Sequence, residues 1–129
     1  MACALMEDCE MIRGVRGAVQ VSRNDPSAIL QAAEDVMRSL IEANAIRLES
    51  VAAVFFTVTR DLDAAFPAAV RSRIGWDLVP FLCGMEISVP ESMERVIRVL
   101  ILFETGAGQA ELSHQYLGVT SALRPDLKK

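Results

Sequence analysis

The sequence is poor in the side chains that most enzymes use to make and break bonds. It has one histidine, one tyrosine and one tryptophan among 129 residues. A catalytic triad needs a histidine beside a nucleophile and an orienting acid. His114, close to Tyr116 on a stretch expected to form a helical turn or two, reads instead as a packing or surface histidine. No G-x-S-x-G elbow, P-loop, H-E-x-x-H or G-x-G-x-x-G occurs. The glycines at 106 and 108 are too few to cradle a phosphate. Cysteine is scarce as well: Cys3, Cys9 and Cys83 make an odd count with no C-x-x-C spacing. That argues against a disulfide framework or a zinc site and fits a reducing cytoplasm. Basic surplus is missing, with 13 Lys and Arg against 17 Asp and Glu, a net charge of −4. A nucleic-acid partner is therefore not expected. No apolar run nears the ~20 residues of a membrane span. "MACALMEDCE" lacks the basic and apolar regions of a signal peptide. Residues 1–10 are expected to be a disordered extension, with Met11 an alternative start.

What is present is a core. Apolar residues make up 52% and charged residues 23%, which excludes intrinsic disorder. Residues 11–129 form one domain by length, able to bury roughly two-thirds of its unfolded surface. "MIRGVRGAVQV" (11–21) reads as a strand whose two glycines allow a close approach by backbone or ligand. A helix follows, with Asp25 as its N-cap, Pro26 at its first position and Asn44 as its left-handed terminator. Ile29, Ala33, Val36, Met37, Leu40 and Ile41 fall on one stripe of it. "SVAAVFFTV" (50–58) is a second strand. A loop and a short helix come next, with Pro67 near the helix start and Gly75 past its end. Residues 77–89 are extended, and Pro80 points to a sheet edge. "RVIRVLILFE" (95–104) is a fourth strand, "TGAGQ" a loop, and residues 110–117 a helical turn or two. A mobile tail is expected from about residue 120. The order predicts an α+β domain, a mixed sheet with helices on one side. One substantial helix cannot cover both faces of four apolar strands, so an oligomer is expected to cover the other face.

Arg98 is the anomaly. It interrupts an apolar, β-branched run that reads as buried on both faces, where an unpaired guanidinium is costly. Arg13 and Arg16 lie on opposite faces of the first strand and should have different roles. Glu86, after the third extended segment, is the carboxylate of this set. A structural salt bridge of Glu86 with Arg98 or Arg16 is one reading. An anion site is the other, since two arginines and one carboxylate leave a surplus positive charge.

"IRGVRGA", "DAAFPA", "VPFLCGMEISV", "VIRVLI" and "HQYL…ALRPDL" occur in that order, and together they closely resemble the monofunctional, AroH-type chorismate mutases of bacteria. The resemblance runs from about Met11 to Leu127. It implies a trimeric pseudo-α/β-barrel with active sites at the subunit interfaces, and the rearrangement of chorismate to prephenate without cofactor or metal. That pericyclic reaction needs no nucleophile and no proton transfer, which agrees with the missing motifs. It needs a compact substrate conformer and a fixed cation for the charge that develops on the ether oxygen. The resemblance gives Arg98 the ether oxygen and a nearby carboxylate, and gives Arg16 and Tyr116 substrate carboxylates. Glu86 and Cys83 match the pair that meets the substrate hydroxyl. Phe66, Ala68 and Leu123 match the ring pocket, Phe81 and Leu82 a stretch that contacts through its backbone, and Arg124 a capturing arginine on the tail. Ala69 replaces a charge often found at the site entrance. Ser72 replaces an arginine and leaves Arg71 and Arg73 as alternatives for it. "TGAGQ" loses a helix-capping acid and is expected to loosen the loop before Tyr116, Gly118 to soften the segment leading to the tail, and both to weaken substrate capture. A non-catalytic trimeric anion-binding module of the same fold is the alternative. A reactive imine deaminase, which relies mainly on one arginine, fits the combination of Arg16, Glu86, Arg98 and Tyr116 less well.

Overall fold

The computed structural model describes residues 10–124. Most of the expected N-terminal extension and the end of the expected tail lie outside them. Five strands form one sheet: β1 (Met11–Gln20), β2 (Val51–Val58), β3 (Phe81–Met85), β4 (Val96–Thr105) and β5 (Gln115–Tyr116). Their spatial order is β3-β2-β4-β1-β5. β4 pairs antiparallel with β1 and β2, while β2–β3 and β1–β5 are parallel, so the sheet is mixed as expected. Pro80 stands just before the edge strand β3, where its carbonyl accepts from Val54 N at 3.0 Å. Among the described residues no helix is long and apolar enough to cross a membrane.

The one long helix among the described residues, α1, runs from Pro26 to Asn44. Asp25 caps it by accepting from Ala28 N at 2.9 Å. Its inner stripe buries Ile29, Ala32, Ala33, Val36, Met37 and Leu40, each larger side chain contributing about 1.5–3 kcal/mol of apolar transfer. Gly17 lets the helix seat. A Cβ there would stand 2.8 Å from Gln115 O, 2.9 Å from Val36 Cγ2 and 3.0 Å from Leu40 Cδ1. The close approach expected of that strand's glycines is thus made by α1 and β5.

Three local expectations differ from the fold. Asn44 does not terminate α1 in the left-handed region; Ala45 does, at φ 49°. Asn44 is committed elsewhere. Its Nδ2 donates to Leu40 O and Ser113 O, and its Oδ1 accepts from Ser113 N at 2.8 Å. Residues 110–117 are likewise not helical beyond a 3-10 turn at Gln109–Glu111. Held at Ser113 by Asn44, the chain runs extended along the free edge of β1, pairing Gly17 with Gln115 and Ala18 with Tyr116. The β1 edge offers backbone partners that a short isolated helix lacks. Residues 77–79, expected to be extended, instead form a turn in which Val79 N donates to Trp76 O at 3.1 Å, and the strand begins only at Phe81. Pro67–Ser72 is a short 3-10 helix, and Gly75 follows it at φ 75°.

Strand parity divides the sheet into two unlike faces. Ile97, Val99, Ile101 and Phe103 of β4 are buried with Val15, Val54 and Phe56 in the core. The opposite face carries Arg98, Leu100 and Leu102. There Phe55 is 36% exposed, Leu82 63% and Ile12 50%. Arg13 and Arg16 fall on opposite faces, as alternation requires: Arg13 sits opposite the buried Phe103 and Arg16 opposite Leu100.

Candidate active site on the open face

Register builds the site. Arg98 is the cross-strand partner of Ala18 on one side and Thr57 on the other. Thr57 in turn pairs with Gly84, and Ala18 with Tyr116. Directly opposed residues share a face, so Gly84, Thr57, Arg98, Ala18 and Tyr116 form one row across five strands. Arg16 and Leu100 lie in the neighbouring row, with Phe55 and Leu82. Within the row the guanidinium stands between Thr57 and Ala18, and Ala18 is fully buried.

Glu86 joins this row from the end of β3. Its backbone N–H donates to Val58 O at 2.8 Å and holds the chain parallel to β2 for one residue beyond the strand. Its Oε2 lies 3.0 Å from Arg98 Nε and accepts from Thr57 Oγ1. The salt bridge expected of Glu86 and Arg98 is present. Even so, the buried Arg98 Nε has no hydrogen-bond partner of good geometry among the described residues. The ion pair places the charges together without fully satisfying the donor, a costly state for a buried N–H unless a further acceptor arrives. Glu86 opens onto a cavity of about 320 Å³ that Thr59, Asp61, Ser88 and Glu94 also line. Arg16 opens onto another of about 270 Å³, with Gly14, Leu100 and His114.

Supports for these groups come from neighbouring segments. His114 Nδ1 accepts from Arg16 N at 3.0 Å, so the lone histidine braces the first strand's edge beside Arg16. Leu117 N donates to Ala18 O at 2.9 Å and fixes the chain just past Tyr116. The 3-10 turn Gly118–Leu123 is anchored by Thr120, fully buried, whose hydroxyl donates to Ala18 O at 3.1 Å. Leu123 and Arg124 are half-buried at its end. In the glycine loop, Glu111 Oε1 accepts from Gly108 N at 2.6 Å, and Thr105 Oγ1 accepts from Ala107 N at 3.1 Å. The loop therefore has a carboxylate tie of its own.

Of the remaining residues named from sequence, Leu82 faces the open side, while Cys83 and Phe66 lie elsewhere. Cys83 pairs with the buried Phe56 and so faces the helix side. Burial pushes its thiol pKa up, against a backbone hydrogen bond at Ala68. Phe66 and Cys83 line a separate cavity of about 440 Å³ with Val58, Leu62, Pro67 and Gly84. Phe66 is 75% exposed and Ala68 is buried. Phe81 stacks on Phe56, ring centroids 6.1 Å apart, while Leu82 faces the open side opposite Phe55. Near Ala68, Arg71 Nη1 donates to Ala68 O at 3.3 Å. Arg73 is held by Glu34 at 3.3 Å.

Two contributors had no signal of their own in the sequence. Thr57 is one of several threonines near strand ends, and only its pairing with Arg98 marks it out. Asp61 is the other. Its carboxylate accepts from Arg95 N at 3.1 Å, while Thr59 Oγ1 accepts from Val96 N at 3.0 Å. This clasp holds Arg95 at φ 53° at the entry to β4, a left-handed conformation costing of order 1 kcal/mol or more.

Known proteins are similar to this chain in sequence and in fold. The family model for chorismate mutase type I matches residues 12–127. The chain is 47% identical over 119 residues to "Chorismate mutase AroH" of Thermus thermophilus, covering 92% of this chain and 98% of that one. It is 40% identical over 118 residues to "Chorismate mutase AroH" of Bacillus subtilis (strain 168), covering 91% and 93%. Among solved structures, a chorismate mutase from Clostridium thermocellum superposes with a TM-score of 0.83 at 34% identity, covering 85% of this chain and 98% of that one.

Proposed function

Since this chain belongs to the chorismate mutase type I family, we propose that it turns chorismate into prephenate by restraint and charge stabilisation on the open face of its sheet. The activity is an isomerisation at the branch toward aromatic amino acids. The observation that carries the mechanism is Arg98, a cation on an interior strand whose Nε is turned to Glu86. Its neighbours Ile97 and Val99 are locked in the core, so the guanidinium stands pre-oriented. A pericyclic shift moves no proton, so the useful interaction is one that strengthens as the C–O bond breaks and the ether oxygen gains charge. Arg98 supplies it. Glu86 takes the ring hydroxyl, and Arg16 and Tyr116 hold carboxylates. Together they keep the substrate in its compact reactive conformer.

Cys83, Phe66 and Ala68 belong to the same site through a neighbouring copy. Within one chain Cys83 faces the helix side and Glu86 the open side, so one protomer cannot close both around one ligand. The exposed Phe55, Leu82 and Ile12 supply apolar surface for such an assembly, and a homotrimer of the pseudo-barrel kind joins the two halves. Arg71, beside Ala68 and without an acidic partner among the described residues such as Glu34 is to Arg73, carries the capturing charge at that wall. Leu123 and Arg124 close the site from the end of the described chain, and Phe81 and Leu82 contribute through backbone. A reducing cytoplasm fits the unpaired Cys83 thiol.

The test is an assay of purified protein with chorismate, following loss of diene absorbance and identifying prephenate by chromatography, alongside light scattering. The expected result is conversion without added cofactor or metal by a particle of three chains. A monomer that turns over chorismate as fast would overturn the shared site. A trimer without turnover would leave an anion-binding module.

A further inference from the structure

We propose that Thr57 is a positioning residue for the reaction, its hydroxyl orienting the Glu86 carboxylate so that one oxygen holds Arg98 and the other is presented to substrate. This rests on the reading of Arg98 and Glu86 given above. Thr57 is the direct cross-strand neighbour of Arg98, on the same face. Its Oγ1 donates to Glu86 Oε2, the same oxygen that lies 3.0 Å from Arg98 Nε. Both contacts fall on Oε2, so Oε1 is the oxygen turned to a ligand.

The geometry explains why a threonine suits the position. A glutamate side chain has three rotatable bonds and Glu86 lies past the end of β3, so its backbone alone does not aim the carboxylate. β-Branching makes Thr57 stiff at χ1, and β2 is paired on both sides, with β3 and with β4. The hydroxyl is therefore a fixed donor. Without it, the carboxylate is free to swing across the guanidinium and accept from the Nη groups as a bidentate partner, a strong arrangement for arginine. Those Nη donors are the ones a developing oxyanion needs. The hydroxyl thus keeps Glu86 from consuming the donors of Arg98.

Thr57→Val removes the hydroxyl at nearly constant shape, and Thr57→Ser keeps it. The expected result is a fall in kcat of about tenfold or more for the valine variant, as befits a hydrogen bond to a charged group, with KM changing less than about threefold. Thr57→Ser should stay close to the parent. In a Glu86→Ala background the valine substitution should have almost no further effect, because partners in one network are non-additive. A crystal structure of Thr57→Val should show Glu86 rotated onto the guanidinium. Unchanged kcat in Thr57→Val, or an equal loss with and without Glu86, would overturn the proposal. If Thr57→Val does not fold, Thr57→Ala carries the same test. Failure of the parent protein to convert chorismate would refute the functional reading instead, and the position of Glu86 in the variant crystal would still decide what Thr57 does.

Discussion

The two faces of β4 make opposite demands on one strand. Toward α1, Ile97, Val99, Ile101 and Phe103 are at most 3% exposed, and what matters there is apolar volume. On the other side Arg98, Leu100 and Leu102 are only half-buried, and what matters is where a charge stands. Each face serves the other. Alternation places every open-face side chain between two anchored neighbours, so the buried face supplies the rigidity that the open face uses. A guanidinium on a loop would have the same charge but would have to be ordered when substrate arrives, an entropic cost this strand has already met in folding.

The comparison breaks most sharply at Arg98. Arg98→Ala should lower kcat by about 10²–10³ or more, the loss typical of a preorganised oxyanion donor. Thermal stability should hardly change. The Arg98 side chain is 42% exposed and that of Glu86 21%, and an ion pair that solvent reaches is worth about 1 kcal/mol or less. Activity and melting temperature measured on the same preparation separate the two effects. If the variant unfolds instead, Arg98 is holding the sheet together and the division between the faces is wrong.

That division was partly legible in the sequence. The continuous apolar run in 95–104 marked Arg98 as out of place, and the α1 stripe was readable position by position, lacking only Ala32. Both are local patterns of one element. Register was not legible, because it is fixed by pairings far apart along the chain: Ala18 with Arg98, Thr57 with Arg98, Ala18 with Tyr116. Hence Thr57 was invisible as a partner of Glu86, and Gln115–Tyr116 read as helix. Asn44 shows the same limit. Its identity suggested a helix terminator, but a tie to Ser113 used the side chain differently. The resemblance named Cys83 and Glu86 together, yet only the sheet reveals that one chain holds them on opposite sides.

The converse experiment probes the covered face. Phe56 is 1% exposed, stacked on Phe81 and opposite Val99. Phe56→Ala should destabilise the fold by about 3–5 kcal/mol through lost transfer and a residual cavity, read as a lower midpoint in denaturant. In conditions where the variant is fully folded, kcat should remain within a few-fold of the parent, since Thr57 and Phe55 still face the open side. A loss of kcat as large as that of Arg98→Ala, at full folding, would mean that core packing sets the chemistry directly and that the two faces are not separable.

The smallest effect lies away from either face, at the start of α1. Asp25 accepts from Ala28 N and pairs with Arg23. These hold its pKa below the ordinary 3.8, the backbone hydrogen bond from Ala28 being the largest cause. A carboxyl more acidic in the folded state than in the unfolded one adds stability that is fully present above the unfolded pKa and is lost as pH falls through the folded one. Asp25→Asn keeps an oxygen that can cap the helix but removes the titration. Between about pH 6 and about pH 3 the melting temperature should therefore fall less in the variant than in the parent. The difference should shrink in high salt, because the pair with Arg23 is exposed and screened. Equal acid sensitivity in both proteins would assign the acid loss to other carboxylates, Glu34 first, since Arg38 and Arg73 lower its pKa in the same way. In either case kcat at neutral pH should not move, because the cap touches only the helix that the covered face binds.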